Sequence, residues 1–358
     1  MEHQEKFVYL KKDELKSLMK RKLMQAGMPE EYAEVMADHL AYADSRGVHS
    51  HGAMRVEYYS ERIAKGGINT NPNMTFTRTG KCTGIYDGDN ATGFVVAKNA
   101  MEIAIDIARQ EGVAIIGMRR MAHCGTLSYY LRMATAAGMI GLSMCQSDPM
   151  VVPYGGSSAF FGTNPIGFAT PIDAERTLVF DMATTVGAWG KILDHRAKNE
   201  AIPNTWAIGS DGHPTTDPFD VCGLLPIAGP KGYGLMMMVD ILSGILTGVP
   251  FGPHVTSMYA DLSSGRELGQ LHIVINPEFF CGRERFEKRI QQMIQELHEV
   301  KPAPGNSRVR YPGESSDERE KEYLETGIPV VESIYEYLMG NAVHFDHYDH
   351  GNPFAVHE

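Results

Sequence analysis

His123 is the residue in this chain best placed to move a proton. It lies in Met121-Ala-His-Cys-Gly-Thr-Leu-Ser128. An apolar run that reads as a strand (113–118) precedes it, and a stretch with helical spacing (127–137) follows. Open α/β sheets place their chemistry at the carboxyl ends of strands, beside helix starts. A free imidazole, with a pKa of about 6.5, is neutral at cytosolic pH and can accept a proton from an alcohol. A nearby helix N-terminus favours the neutral form further. A structural histidine bonded within a loop fits the same place, so the surrounding segments decide. Cys124 adjoins His123, but neighbours in extended chain point apart, which argues against a Cys–His pair.

Four further clusters carry chemistry. Arg55 follows His49-Ser50-His51 by one turn. Its guanidinium can clamp a carboxylate through two bonds, with Ser50 and His51 adding donors and Tyr59 lining the same wall. A helix cap with a surface arginine also accounts for this string. The loop 144–156 follows a strand and offers Ser147 and Asp148 at the sheet edge, with prolines and glycines that let a ligand approach the backbone. Phe180-Asp-Met-Ala-Thr-Thr185 leads from a strand into a helix, and Asp181 there can accept from ribose hydroxyls or cap the helix. Gly229-Pro-Lys-Gly-Tyr-Gly234 puts Lys231 at a helix start, which suits a phosphate. The His-rich tail, 344–350, is a terminal polar segment that reads as surface, and no metal is expected.

These residues sit in a chain of 358 residues, 43% hydrophobic and 22% charged, long enough for two or three domains. A net charge of −11 argues against nucleic acid or anionic membrane as partner. An anionic substrate then needs a local positive pocket. Five scattered cysteines without a CxxC read as reduced thiols of a cytoplasmic protein. The N-terminus shows no apolar signal region. Segment 234–252 is long and apolar, but Asp240 near its centre would cost roughly 2.5–3.5 kcal/mol in a bilayer. It reads as a buried or subunit-interface helix.

The elements that must position these groups follow from periodicity. Helices are expected over 11–26, 29–45, 53–65, 92–110, 127–137, 184–199, 230–247 and 283–300. Pro29 fits the first helical position of the second. Strands are expected within 73–88 and at 113–118, 139–145, 163–170, 177–181 and 271–276. Segment 301–327, rich in Pro, Gly and charge, is expected to be an extended arm, with a short helix near 329–339. No strand–GxGxxG–helix occurs: in Gly232-Tyr-Gly234 the third glycine position is Met237. No P-loop occurs either.

Taken together, Ser45-Arg-Gly-Val-His-Ser-His-Gly52, the His123 loop, Gly162-Thr-Asn-Pro165, Phe180-Asp-Met-Ala183 and Gly229-Pro-Lys-Gly-Tyr-Gly234 resemble the malate/L-lactate/L-sulfolactate-type dehydrogenases that lack a Rossmann fold. The stretches 144–153, 231–238 and 269–277 look closest to the branch that oxidises a ureido-substituted hydroxy acid in purine breakdown. The resemblance implies a mixed α/β chain with a three-layer, non-Rossmann NAD-binding domain (131–299) whose sheet is largely antiparallel. It implies a helical substrate-binding and dimerisation part (1–130 with 300–358) and a homodimer. It implies NAD rather than NADP, a 2-hydroxy acid substrate and no metal. His123 would be the general acid/base, with Arg55 and Ser50 beside it. Ser50, His51, Arg55, Tyr59 and Asp148 would face substrate; Ser147, Asp181, Met182, Ala183 and Lys231 would contact the cofactor. The alternatives are the same fold acting on malate, lactate, sulfolactate or an imino acid, a non-catalytic binding protein, and a metal hydrolase, for which no HExxH occurs.

Overall fold

Two long amphipathic helices follow a short edge strand. In the computed structural model, which describes residues 6–348, β1 (Phe7–Leu10) leads into α1 (Lys12–Gln25) and α2 (Glu30–Ser45). Pro29 stands one residue earlier than expected, as the cap of α2. Leu15, Met19 and Leu23 on one helix and Ala33, Met36, Ala37 and Leu40 on the other recur at three- and four-residue spacing. All are fully buried in one core. The chain leaves α2 through Gly47 in the left-handed region, φ 76°. Two single turns of 3-10 helix, His49–His51 and Ala53–Arg55, then run into α3 (Val56–Ala64). Ser50, His51, Arg55 and Tyr59 therefore lie on one short stretch backed by the helical core.

The middle of the chain is a sheet. β2 (Thr75–Arg78), β3 (Thr83–Ala91), α4 (Gly93–Glu111), β4 (Val113–Met121), α5 (Leu127–Ala136), β5 (Ile140–Cys145), β6 (Ile166–Pro171) and β7 (Thr177–Met182) come in that order. A lobe of α6 (Trp189–Lys198) and the two-residue strands β8 (Ala207–Ile208) and β9 (Gly223–Leu224) follows, then α7 (Pro230–Ser243), β10 (Leu268–Ile275) and α8 (Arg283–Glu299). The seven-stranded sheet runs β2-β3-β4-β10-β5-β6-β7. Only β3–β4 pair in parallel; every other neighbouring pair is antiparallel. Helices α4 and α5 pack on the strands, and α7 packs on β5 and β10. This is the expected mixed, largely antiparallel sheet.

The strand order places the site. β4 and β5 both pair antiparallel with β10, so they point the same way and end at its start: Met121 faces Leu268, and Cys145 faces Gln270. β7 points that way too, with Met182 facing Ile166 and Ile166 facing Met144. Three strand ends thus open on one edge, each two strands from the next, about 10 Å apart at ordinary strand spacing. His123 follows the first, Ser147 the second, and Asp181 closes the third.

The remainder differs from expectation in three places. The arm is extended only to Gly313; α9 (Glu314–Thr326) fills its second half. That half holds no proline or glycine, and Glu314 and Asp317 stand in its first turn, where the helix dipole favours them. β11 (Ile328–Val331) pairs with β1 across the whole chain, and α10 (Glu332–Met339) starts later than expected. Such a ladder leaves no local trace, because its partners lie at opposite ends of the sequence. Residues 75–121, assigned to a helical part by position, instead build strands β2, β3 and β4 and the helix α4.

Buried histidines make this fold acid-sensitive. His272 in β10 is fully buried and donates from Nε2 to the Ala97 carbonyl, 3.1 Å away. Burial pushes its pKa down to about 4. Below about pH 6.5 the unfolded chain takes a proton that the native ring refuses, so stability present at neutral pH is lost as pH falls toward 4. The full loss from this one group is about 3 kcal/mol. His39, likewise buried and lowered, acts in the same direction. Urea midpoints should fall steeply between about pH 6.5 and 4, and His272→Leu should flatten that slope. An unchanged slope in the variant would remove His272 as its source.

Candidate active site

The loop after β4 is held rigidly. His39 of α2 accepts from the Thr126 N–H at 2.9 Å and contacts its hydroxyl at 3.0 Å, both at Nε2. Tyr130 donates to the Cys124 carbonyl at 2.5 Å. Gly125 adopts φ 73°, and a Cβ there would fall 2.6 Å from the Phe94 ring; only glycine fits the turn. Asp181 accepts from the Ser128 N–H at 2.9 Å, so it caps α5, the helix after His123, and not the helix after its own strand. These bonds tie the loop to α2, α5 and β7 at once.

His123 faces a phenol and a second imidazole. Its Nδ1 lies 2.7 Å from the Tyr59 hydroxyl and accepts from the Gly125 N–H at 3.2 Å. The His51 ring stacks on it with centroids 5.9 Å apart. Enclosure holds the His123 pKa well below the usual histidine range, with the cationic forms of His51 and Arg55 and the nearby Arg266 adding to it. Burial and Arg55 lower His51 to about 4. Both rings are therefore uncharged at neutral pH.

Arg55 supplies the positive charge. Its Nε donates to the Ser50 carbonyl at 2.8 Å and its Nη1 to the Tyr259 hydroxyl at 3.1 Å. Among the described residues no carboxylate pairs with it. Among these residues the guanidinium is thus oriented by neutral groups, and it is suited to an anionic ligand. Ser50 bonds His51 Nδ1 through its hydroxyl at 3.0 Å. Four of the expected substrate residues, Ser50, His51, Arg55 and Tyr59, stand around His123.

Asp148 does not belong to this group. It is 4% exposed, paired with Arg266 at 3.0 Å, and accepts from the Met258 N–H at 3.0 Å. Both oxygens are engaged inside the protein, so the expected substrate contact is replaced by a structural one. A buried carboxylate of this kind must be paired, and here the pairing pins the loop 256–266 that carries Tyr259. Tyr259 itself was not legible from sequence, since nothing in Thr256-Ser-Met-Tyr259 marks it.

The cofactor-facing candidates gather around the other strand ends. The Ser147 hydroxyl accepts from the Thr163 N–H at 2.8 Å, and the Ser147 N–H donates to Asn164 Oδ1 at 3.2 Å. Asn164 in turn bonds Asp240 of α7 at 3.3 Å. Asp240, anomalous in an apolar helix, therefore anchors the Ser147 loop. Lys231 is exposed in the first turn of α7, and Asp181 and Met182 are exposed at the end of β7. A cavity of about 540 Å³ adjoins the α7 start, lined by Val152, Tyr154, Gly155, Val186, Pro226 and Gly229. A largely apolar cleft reaching Gly229, the cap of α7, with Lys231 exposed in the next turn, suits part of a dinucleotide. A larger groove of about 670 Å³ on α1 and α2 is lined by Lys16, Lys20 and Glu34, which pair with one another; it touches none of these residues.

Where the C-terminal tail meets α3, Glu61 of that helix and His344 and Asp346 of the tail bring ligand atoms within 4.8 Å of one another. The Lys65 ammonium already lies 2.8 Å from Glu61 and 3.0 Å from Asp346, so the position holds a cation of the protein's own. Asp349 and His350 of the tail lie outside the described residues.

Known proteins share this sequence and fold. The family model described as malate/L-lactate dehydrogenase matches residues 10–339. The ureidoglycolate dehydrogenase (NAD(+)) of Escherichia coli (strain K12) is 54% identical over 346 residues, 97% of this chain and 99% of that protein. The malate dehydrogenase of Pyrococcus abyssi is 39% identical over 344 residues, 93% of this chain and 94% of that one. The solved structure of sulfolactate dehydrogenase from Methanocaldococcus jannaschii aligns with a TM-score of 0.86 at 35% identity, over 92% of this chain and 95% of that one.

Proposed function

The chain belongs to the malate/L-lactate dehydrogenase family, and we infer that it oxidises (S)-ureidoglycolate to oxalurate with NAD. The observation that carries the substrate is identity of 53–54% with two ureidoglycolate dehydrogenases over nearly their full length, against 39% for the malate relative. The reaction places the chain in allantoin breakdown.

The residues described above supply what a 2-hydroxy acid needs. Arg55 holds the carboxylate by two parallel bonds, helped by the Ser50 hydroxyl. His51, neutral, donates to or accepts from the substrate without adding charge. His123 takes the hydroxyl proton. Binding of the carboxylate cancels the Arg55 charge that depresses the His123 pKa, so the base strengthens as substrate arrives. NAD, when bound, would supply the acceptor for the hydride on the hydroxyl-bearing carbon. Ser147, Asp181, Met182, Ala183 and Lys231 would hold it, with Lys231 and the α7 start suited to its phosphates. The helices α1, α2 and α3, with α9 and α10, form the substrate side; the sheet with α7 forms the cofactor side.

The working form is a homodimer. Met238, Ile241, Ile245 and Leu246 are exposed along α7 and the turn after it, an apolar patch of the kind that marks a protein contact. Ile241→Glu should convert the dimer to a monomer in sedimentation equilibrium; a wild-type monomer would remove the proposal. Among the described residues no helix is long and apolar enough to cross a membrane. Five free cysteines support a cytoplasmic setting.

The test is a panel of hydroxy acids with purified protein and NAD, followed by NADH absorbance. Ureidoglycolate should give the highest kcat/KM. A higher value for malate, lactate or sulfolactate would move the chain to another branch, and no absorbance change with any would leave it a binding protein.

A further inference from the structure

The hydrogen bonds at His123 raise a question about the route of the proton. A backbone N–H can only donate, so the Gly125 N–H, 3.2 Å from Nδ1, fixes that nitrogen as an acceptor. The neutral ring then carries its hydrogen on Nε2. Nε2–H cannot accept a proton, and the only basic lone pair, at Nδ1, is shared with the Tyr59 hydroxyl 2.7 Å away. That lone pair faces the phenol, which is therefore the group through which a proton can be handed to it.

We propose that Tyr59 is a catalytic proton relay, carrying the substrate's hydroxyl proton to His123. The inference rests on the dehydrogenase reading above. Tyr59 gives its single hydrogen to Nδ1 and keeps two lone pairs, and the hydrogen bond to His123 is the only one its hydroxyl makes among the described residues. The phenol is 2% exposed and lies on the first turn of α3, directly after Arg55. A carboxylate held by Arg55 brings its neighbouring hydroxyl to that turn. Phe94 packs edge-on against the Tyr59 ring, centroids 5.2 Å apart, and fixes its orientation.

The step balances. The substrate O–H breaks and its proton joins the Tyr59 oxygen; the Tyr59 O–H breaks and its proton joins Nδ1. The carbon's hydride passes to the nicotinamide of NAD. The products are the 2-oxo acid, whose new carbonyl is the acyl-urea carbonyl of oxalurate, with NADH, an intact phenol and an imidazolium with hydrogen on both nitrogens. Burial disfavours negative charge on the phenol, so the two protons move together and the Tyr59 oxygen stays close to neutral in transit. In the reverse direction the imidazolium returns the proton along the same path.

Three measurements test this. Single-turnover hydride transfer in mixtures of light and heavy water should give a curved dependence on deuterium fraction, because two protons move together. Nitrogen NMR of the histidine-labelled free enzyme should show Nδ1 without hydrogen and Nε2 with it. Tyr59→Phe should lower kcat about 10- to 100-fold, within the range for a lost proton-transfer group, with KM within about threefold and a linear isotope dependence. A linear dependence in the wild type, hydrogen on Nδ1, or a Tyr59→Phe variant within about threefold of wild type would each overturn the relay. None of these touches the substrate assignment, which the hydroxy-acid panel decides separately.

Discussion

His123→Ala lowers kcat by about 10²- to 10⁴-fold, the range for loss of a general acid/base, with KM for the hydroxy acid nearly unchanged. The reason lies in how the residue is held. His123 contributes no bond to the carboxylate clamp; its contacts are the Tyr59 hydroxyl and the Gly125 N–H. The loop around it is fixed independently by the His39–Thr126 and Tyr130–Cys124 bonds. Removing the ring therefore removes the proton acceptor and leaves the pocket. Stopped-flow NADH formation at saturating substrate checks it. A variant within about threefold of wild type would take His123 out of the mechanism.

Arg55→Lys acts on the other quantity. The guanidinium uses Nε and Nη1 to reach Ser50 and Tyr259 and still presents a planar edge. An ammonium is a single point on a flexible stem and cannot both keep the internal bonds and grip two carboxylate oxygens. A charge-assisted hydrogen bond contributes about 1.5–3 kcal/mol, so KM should rise about 10- to 150-fold. Steady-state kinetics with the hydroxy acid varied checks it, and an unchanged KM would place the carboxylate elsewhere.

The two residues also show which parts of the site were legible. Arg55, Ser50, His51 and Tyr59 were readable because they sit on one continuous stretch, where spacing alone implies a shared face. His123 was readable as a polar residue between a strand and a helix. Asp148 misled because a carboxylate in a glycine- and proline-rich loop looks available. Its partner Arg266 lies 118 residues away, and no local pattern announces a long-range ion pair. Tyr259 was hidden for the same reason, being brought to Arg55 from a loop 204 residues on.

At the level of fold, helices with strong stripes such as α1 and α2 could be placed nearly to the residue. The sheet's content could be read, but not its order, because β10 inserts between β4 and β5 from over 120 positions downstream. That insertion is what brings the ends of β4, β5 and β7 to one edge. The helix α9 was concealed by averaging a proline-rich half with a charged, helix-forming half. Asp240 was legible as an oddity in an apolar helix, while its task, holding Asn164 and through it Ser147, needed the tertiary structure.

The mechanism requires a hydroxy acid seated on Arg55 to lie between the His123 loop and a nicotinamide at the neighbouring strand ends. A crystal structure of the ternary complex with NAD and oxalurate tests it most directly. The carboxylate should lie on Arg55, the adjacent oxygen against Tyr59 and His123, and the nicotinamide ring over the same carbon beside Ser147. A nicotinamide bound away from His123, with no position from which one substrate touches both, would contradict it.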